Sequence, residues 1–263
     1  MTSITSTQNP GIKDLLKLEK SKVRKETGLF IVEGYREIKK AAASGYHLKS
    51  LYVCPRIQNA ELQDFTASLQ PDEKIEVSEH VFSRIAYRDN RDGLLATVVM
   101  QHHRLEDLEP AGNPLYLVVE TVEKPGNLGA ILRTADGAGV DAVIVCDNRT
   151  DLFNPNVVRA SLGCLFTTKV VQTTSDKAMA FFKKQGILLY SAALQNSTDY
   201  YKVDFTKSCA IVVGSEADGL SMAWRHEADR VIRIPMHGAA DSLNVSVSAA
   251  ILVFEAVRQR NSR

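Results

Sequence analysis

Tyr116-Leu-Val-Val-Glu-Thr-Val-Glu-Lys-Pro-Gly-Asn-Leu-Gly-Ala-Ile-Leu-Arg-Thr-Ala-Asp-Gly-Ala-Gly-Val-Asp-Ala-Val-Ile-Val145 joins two apolar runs through a segment of different period. Tyr116–Glu120 is apolar until its last residue, the pattern of a strand covered on both faces. Leu128–Ala138 reads as a helix and Ala142–Val145 as the next strand, so the stretch is a βαβ unit. Gly137-Ala-Gly-Val-Asp-Ala142 fits the dinucleotide pattern G-x-G-x-x-A only on paper. That fingerprint must follow a strand and open a helix; here it closes a helix, and its glycines read as C-terminal punctuation.

Downstream the alternation continues. Thr168–Gln172 reads as a short strand and Ser175–Gln185 as a helix stopped by Gly186. Ile187–Ala192, Ala210–Val213 and Val231–Ile234 read as strands, and Leu243–Gln259 as a last helix. Repeated βα units imply an α/β fold with a mostly parallel sheet and helices on both faces. Upstream, Gln101–Pro114 is polar and carries Pro110, Gly112 and Pro114, as a linker does. Before it, Ile12–Lys25 reads as one charged helix, Gly28–Val32 as a strand and Tyr35–Ala43 as a helix. Leu51–Val53, Lys74–Val77 and Leu94–Met100 read as strands, with a helix at Glu61–Leu69. These make a smaller α/β layer domain. The expected division is 1–103, a linker at 104–114, and 115–263.

The 263 residues hold 32 Lys and Arg against 31 Asp and Glu, a net charge of +1, with 44% hydrophobic residues. That is ordinary globular composition. It excludes a chain that binds nucleic acid by bulk positive charge, but local patches remain. Gly11–Lys40 has nine basic groups against five acids, and Arg258, Arg260 and Arg263 follow the last acid, Glu255. No apolar run approaches the roughly 18 residues of a membrane span, and the start lacks a secretion signal. A cytoplasmic protein is expected, with no membrane partner. Cys54, Cys146, Cys164 and Cys209 are scattered and read as reduced thiols in apolar surroundings. His102 and His103 lack metal-ligand spacing, and no Cys/His set fits zinc, so no metal is expected. A G-x-S-x-G elbow and a P-loop are both absent.

Three segments could hold chemistry. The first, Glu123–Asp136, follows a strand and opens a helix, where free N–H groups suit anions; Asn127 and Arg133 are its polar groups. The plain alternative is an Asn cap and a solvated Arg. The second, Cys209–Leu220, runs from a strand into a Gly-flanked acidic turn, with Gly214 permitting close approach and Glu216 or Asp218 able to accept a hydrogen bond or proton. The alternative is a tight turn with Ser221 capping the next helix. The third, Arg233–Ile251, ends a strand at Pro235 and continues through a Gly/Ala loop. There Asp241 or Ser242 can cap the last helix, which opens on small side chains.

In this order, Asn127-Leu-Gly-Ala-Ile-Leu-Arg133, Val213-Gly-Ser-Glu-Ala-Asp-Gly-Leu220 and Ile234-Pro-Met through Ser242-Leu-Asn-Val-Ser246 resemble the three motifs of the SpoU (TrmH-type) branch of the SPOUT RNA methyltransferases. The likeness spans about Leu115–Arg260. Asn154-Pro-Asn-Val-Val-Arg-Ala-Ser-Leu-Gly163 is similar to the family's intervening segment. Ile4–Val53, including Phe30-Ile-Val-Glu-Gly34, resembles the N-terminal RNA substrate-binding domain of ribosomal-RNA members. Lys124 departs from the acidic or amide residue common before the proline.

The resemblance implies methyl transfer from S-adenosylmethionine to a ribose 2′-hydroxyl, most readily of ribosomal RNA, in a homodimer formed through the C-terminal domain. It also implies a deep trefoil knot, which chain-path rules would argue against. By motif position, Gly214, Ile234 and Leu243 would hold the cofactor through their backbone. Asn127, Arg133, Glu216, Ser242 and Asn244 would form the reaction centre. The sulfonium donor is already reactive, so the protein must align attack and relieve the hydroxyl of its proton. A free guanidinium, with a pKa above about 12, is a poor base, which leaves Arg133 as a perturbed base or a positioner. The 2′-hydroxyl selects RNA over DNA. The alternatives are a tRNA 2′-O-methyltransferase and a non-catalytic RNA- or ribosome-binding factor on the same scaffold.

Overall fold

A buried parallel strand offers apolar side chains to both faces, and this dictates the larger of two compact units. The computed structural model describes residues 2–87, 92–215 and 218–262. One unit holds Met1–Gln101 with Asp151–Thr167; the other holds His102–Thr150 with Thr168–Arg263.

The first unit is built from β1 (Thr2–Ile4), α1 (Pro10–Lys17), α2 (Ser21–Thr27), β2 (Leu29–Glu33), α3 (Tyr35–Ala43), β3 (Leu48–Val53), α4 (Ala60–Ser68), β4 (Glu73–Val77), α5 (Glu79–Ile85) and β5 (Leu94–Val99). Its sheet runs β1-β4-β3-β5-β2, with β5 antiparallel to both neighbours. The single helix expected over Ile12–Lys25 is two helices. Arg24 explains the break: its Nη1 donates to the carbonyls of Leu18 and Glu19 at 2.7 and 2.8 Å. The guanidinium thus satisfies acceptors that the interrupted helix leaves open. Its other side reaches Asp151, with Nε and Nη2 at 3.0 and 2.5 Å from Oδ2. Arg24 is 1% exposed, so it is not part of the surface charge of this stretch.

Neither β1 nor α5 was expected. β1 is a three-residue edge strand with only Ile4 buried, too short to show a period. α5 buries Val81, Phe82 and Ile85 behind Ser78, whose side chain caps it.

The second unit contains β6 (Leu115–Glu120), α6 (Pro125–Ala138) and β7 (Ala142–Cys146). After β7 the chain passes into the first unit as α7 (Pro155–Ala160) and α8 (Cys164–Thr167). It returns as β8 (Val170–Thr173), α9 (Ser175–Gln185), β9 (Leu188–Ala192), β10 (Thr198–Asp199), β11 (Cys209–Val213), α10 (Met222–Glu227), β12 (Arg230–Arg233) and α11 (Val245–Asn261). The sheet order is β10-β12-β9-β11-β6-β7-β8, and every pairing is parallel. Each residue of β6, β7 and β11 is buried. Tyr116, Val118, Ile144 and Val212 pack with Phe182 of α9 and Trp224 of α10. The alternate residues face the other way, where α6 and α11 pack together. Helices therefore cover both faces of an all-parallel sheet, as the βα repeat predicts.

α6 stops at Gly139, a left-handed cap with φ 66° whose N–H meets the carbonyls of Ala135 and Asp136, so these glycines do end a helix. The polar stretch before β6 is anchored: Leu105 and Leu108 are buried in the second unit's core. All four cysteines are buried, and none forms a disulfide.

Candidate active site

In a parallel sheet every strand points its carboxyl end to one rim, and ligands bind there. Here β9 pairs with both β11 and β12, Ser191 opposite Val212 and Ala192 opposite Ile232, so three loops leave the sheet side by side. They enclose a cleft of about 420 Å³ lined by Gly214, Ile234, Ser242 and Leu243, together with Ala192–Gln195, Asp218 and Arg225.

The turn after β11 is closed on itself. Ser215 and Gly219 exchange backbone hydrogen bonds at 3.2 and 3.1 Å, and the Asp218 N–H donates to Ser215 Oγ at 3.0 Å. This folds Gly219 back over Gly214. A Cβ on Gly214 would lie 2.2 Å from the Gly219 carbonyl carbon and 2.4 Å from the Leu220 nitrogen, so only glycine fits. Glu216 lies outside the described residues. Glu120, 5% exposed at the end of β6, accepts the Ser221 N–H at 2.8 Å and the Ser175 hydroxyl at 3.4 Å. It ties the chain after this turn to the centre of the sheet.

The first and third motifs meet directly. Asn244, not Asp241 or Ser242, caps α11: its Oδ1 accepts from the Ser246 N–H at 3.0 Å and the Ser246 hydroxyl at 2.6 Å. Its Nδ2 is therefore the side that faces Asn127, donating to Oδ1 at 3.2 Å. Asn127 is not a cap. Lys124 holds the N-cap position of α6 and Pro125 follows it, which sets Asn127 in the first turn with its amide toward α11. Arg133, further along α6, is exposed and makes no hydrogen bond or ion pair to a described residue. Ser242 is exposed on the cleft wall.

Sequence reasoning missed Ala192–Gln195, Arg225 and Glu120. Nothing local marks them, because the adjacency of β9 to β11 and β12 exists only in the folded sheet. The cleft suits a nucleoside-containing cation. Its volume is that of an ordinary ligand site. Ala192, Leu194, Val213, Ile232 and Leu243 give it apolar walls, and Asp218 and Asp241 supply negative charge.

Residues 114–254 match the SpoU rRNA methylase family, and residues 9–96 an MRM3-like substrate-binding domain. The chain belongs to the SpoU rRNA methylase family. Among SpoU relatives, it is 32% identical to a 23S rRNA (guanosine(2553)-2′-O)-methyltransferase of Bacillus subtilis, over 97% of this chain and 98% of that protein. It is 37% identical to a 23S rRNA (guanosine-2′-O-)-methyltransferase of Vibrio vulnificus, over 76% of this chain and 81% of that protein. An AdoMet-bound rRNA methyltransferase from Sinorhizobium meliloti superposes with a TM-score of 0.89 at 32% identity, over 98% of this chain and 97% of that one.

Proposed function

We propose that this protein transfers a methyl group from S-adenosylmethionine to a ribose 2′-hydroxyl of ribosomal RNA. Family membership and relatives named for this reaction on 23S rRNA support the reading. The observation in this chain that favours it most is the Asn127–Asn244 hydrogen bond, which joins residues 117 positions apart beside the cleft.

When bound, the cofactor supplies an electrophilic methyl group on sulfur. The chain's own part is to bind, orient and handle the proton. Gly214, Ile234 and Leu243 offer backbone groups to the cofactor from two loops. Asn127 and Asn244 stiffen one another, so the amide pair presents fixed donors and acceptors to the ribose. Arg133 stands clear as a planar fork suited to an RNA phosphate or to the attacking hydroxyl. By motif position, Ser242 and Glu216 would complete the reaction centre. With the reacting groups aligned, much of the barrier falls through orientation alone.

The working form is a homodimer. Val247, Ile251 and Phe254 follow one another at helical spacing on α11, and Val247 and Phe254 are 47% and 49% exposed, an apolar stripe that wants a partner. Sedimentation checks this: Phe254→Glu should shift the protein from dimer to monomer. By the family's fold, the segment ending in α11 is threaded as a deep trefoil knot. No described helix is long and apolar enough to cross a membrane, and the reaction belongs in the cytoplasm.

Mapping 2′-O-methyl positions on ribosomal and transfer RNA, with and without the protein, tests the function. One ribosomal position should lose its methyl group, and Arg133→Ala should fail to restore it. Unchanged ribosomal RNA with a lost transfer-RNA mark would reassign the substrate. Failure of the protein to bind S-adenosylmethionine would overturn the enzyme reading.

A further inference from the structure

Arg225 is a cation in the cleft for which methyl transfer, as described, has no use. It lies on α10, and its Nη1 donates to Gln195 Oε1 at 2.9 Å. Both side chains line the cleft. The Nε–H of Arg225 is buried against the protein and has no acceptor, so it is closed to a ligand in the cleft. The other cationic side chain on the wall is already neutralised: Arg233 Nε sits 2.9 Å from Asp199. Arg225 makes no ion pair with a described residue.

With Nη1 committed to Gln195 and Nε sealed, Nη2 is the donor left to the cleft. A guanidinium N–H makes a short, charge-assisted hydrogen bond to a carboxylate oxygen. S-adenosylmethionine has a single anionic group, the carboxylate of its methionine half. We propose that Arg225, steadied by Gln195, binds this carboxylate and makes the cleft selective for the amino-acid end of the cofactor. The inference rests on the reading of the cleft as the cofactor site.

Calorimetric titration with S-adenosylmethionine, its demethylated product S-adenosylhomocysteine and decarboxylated S-adenosylmethionine separates the possibilities. The first two carry the carboxylate and the third does not. Arg225→Ala should weaken the first two roughly ten- to a hundredfold and the decarboxylated form less than about twofold. Arg225→Lys should recover only part of the loss, because a single ammonium replaces the two Nη groups that hold Gln195 and the carboxylate at once. Gln195→Glu, which sets a competing carboxylate against the guanidinium, should produce the same selective loss without emptying the site. Equal weakening of all three ligands in both variants would mean that Arg225 acts through packing and would overturn the proposal. So would unchanged affinity for S-adenosylmethionine. If the unaltered protein binds none of the three, the cofactor reading falls as well, an outcome distinct from a failure of Arg225 alone.

Discussion

Gly214 and Asp151 show how single residues hold this structure. At Gly214 the constraint is space, since its missing side chain is the room that the Gly219 carbonyl occupies. Gly214→Ala must open the Ser215–Gly219 turn, at a stability cost of about 1–3 kcal/mol for overpacking. Calorimetry should show S-adenosylmethionine binding weakened at least roughly tenfold, about 1.4 kcal/mol, while the protein still melts cooperatively. At Asp151 the constraint is charge. Burial pushes its carboxyl upward, but the Ser21 hydroxyl and the Arg24 guanidinium outweigh this and hold it below the ordinary range. A carboxylate with a lowered pKa in the fold contributes stability that is complete above its unfolded pKa, near 4, and is lost as pH falls through the lowered value. Asp151→Asn leaves Arg24 charged and buried without its partner, which costs roughly 3–5 kcal/mol at neutral pH. Urea titrations should show that gap at about pH 7 and its closure as pH falls through the lowered value; a gap that does not narrow would count against the pair.

Among the elements, what the sequence reveals follows from how each is buried. β6, β7 and β11 are legible because a central parallel strand is covered on both faces and so reads as an unbroken apolar run. α11 is legible in its body but not at its start. Asp241, Ser242 and Asn244 are all competent caps, and only the folded chain shows Asn244 bonded to Ser246 and turned toward Asn127. The cleft shows the same division. Gly214, Ile234 and Leu243 stand in segments with a visible pattern, whereas Arg225 and Gln195 are brought in by strand order. The basic stretch before β2 is the clearest misreading. Arg24 resembles its neighbours in sequence, yet its partner is 127 positions away, and it is buried where Lys20, Lys22 and Lys25 are exposed. If this stretch grips RNA, as its charge predicts, the exposed lysines must do it and not Arg24. Replacing all three with Gln should reduce the slope of log affinity against log salt by about two to three, on the order of 0.7–0.9 for each phosphate that is no longer neutralised. An unchanged slope in filter-binding assays would move the RNA elsewhere.

For the whole molecule, the route of the chain matters more than its division at a linker. Residues 1–103 and 115–263 look separable in sequence, but Asp151–Thr167 leaves the parallel sheet and joins the first unit. Its attachment is substantial. Phe153 lies 4.7 Å from Phe30 between ring centroids, Phe166 lies 5.0 Å from Tyr46, and Asp151 holds the buried Arg24. A Cβ on Gly163 would lie 2.8 Å from Lys40 Cδ, so α8 and α3 meet closely. Periodicity could not reveal this, because two short helices of six and four residues carry too few turns to show which face is buried. The consequence can be tested by cutting the chain. A fragment of residues 102–263 keeps the entire parallel sheet, but leaves Leu152, Phe153 and Phe166, all buried in the intact protein, without the surface that covers them. Apolar area exposed in this way costs roughly 25 cal/mol per Å² and promotes association. The fragment should bind a hydrophobic dye and aggregate on heating well below the full chain. The same fragment with residues 151–167 replaced by a short Gly/Ser linker should stay soluble and keep its affinity for S-adenosylmethionine, because none of the cleft's lining residues comes from that segment. If the uncut 102–263 fragment proves as soluble as the shortened one, the segment does not depend on the first unit, and the cut at the linker is the true boundary.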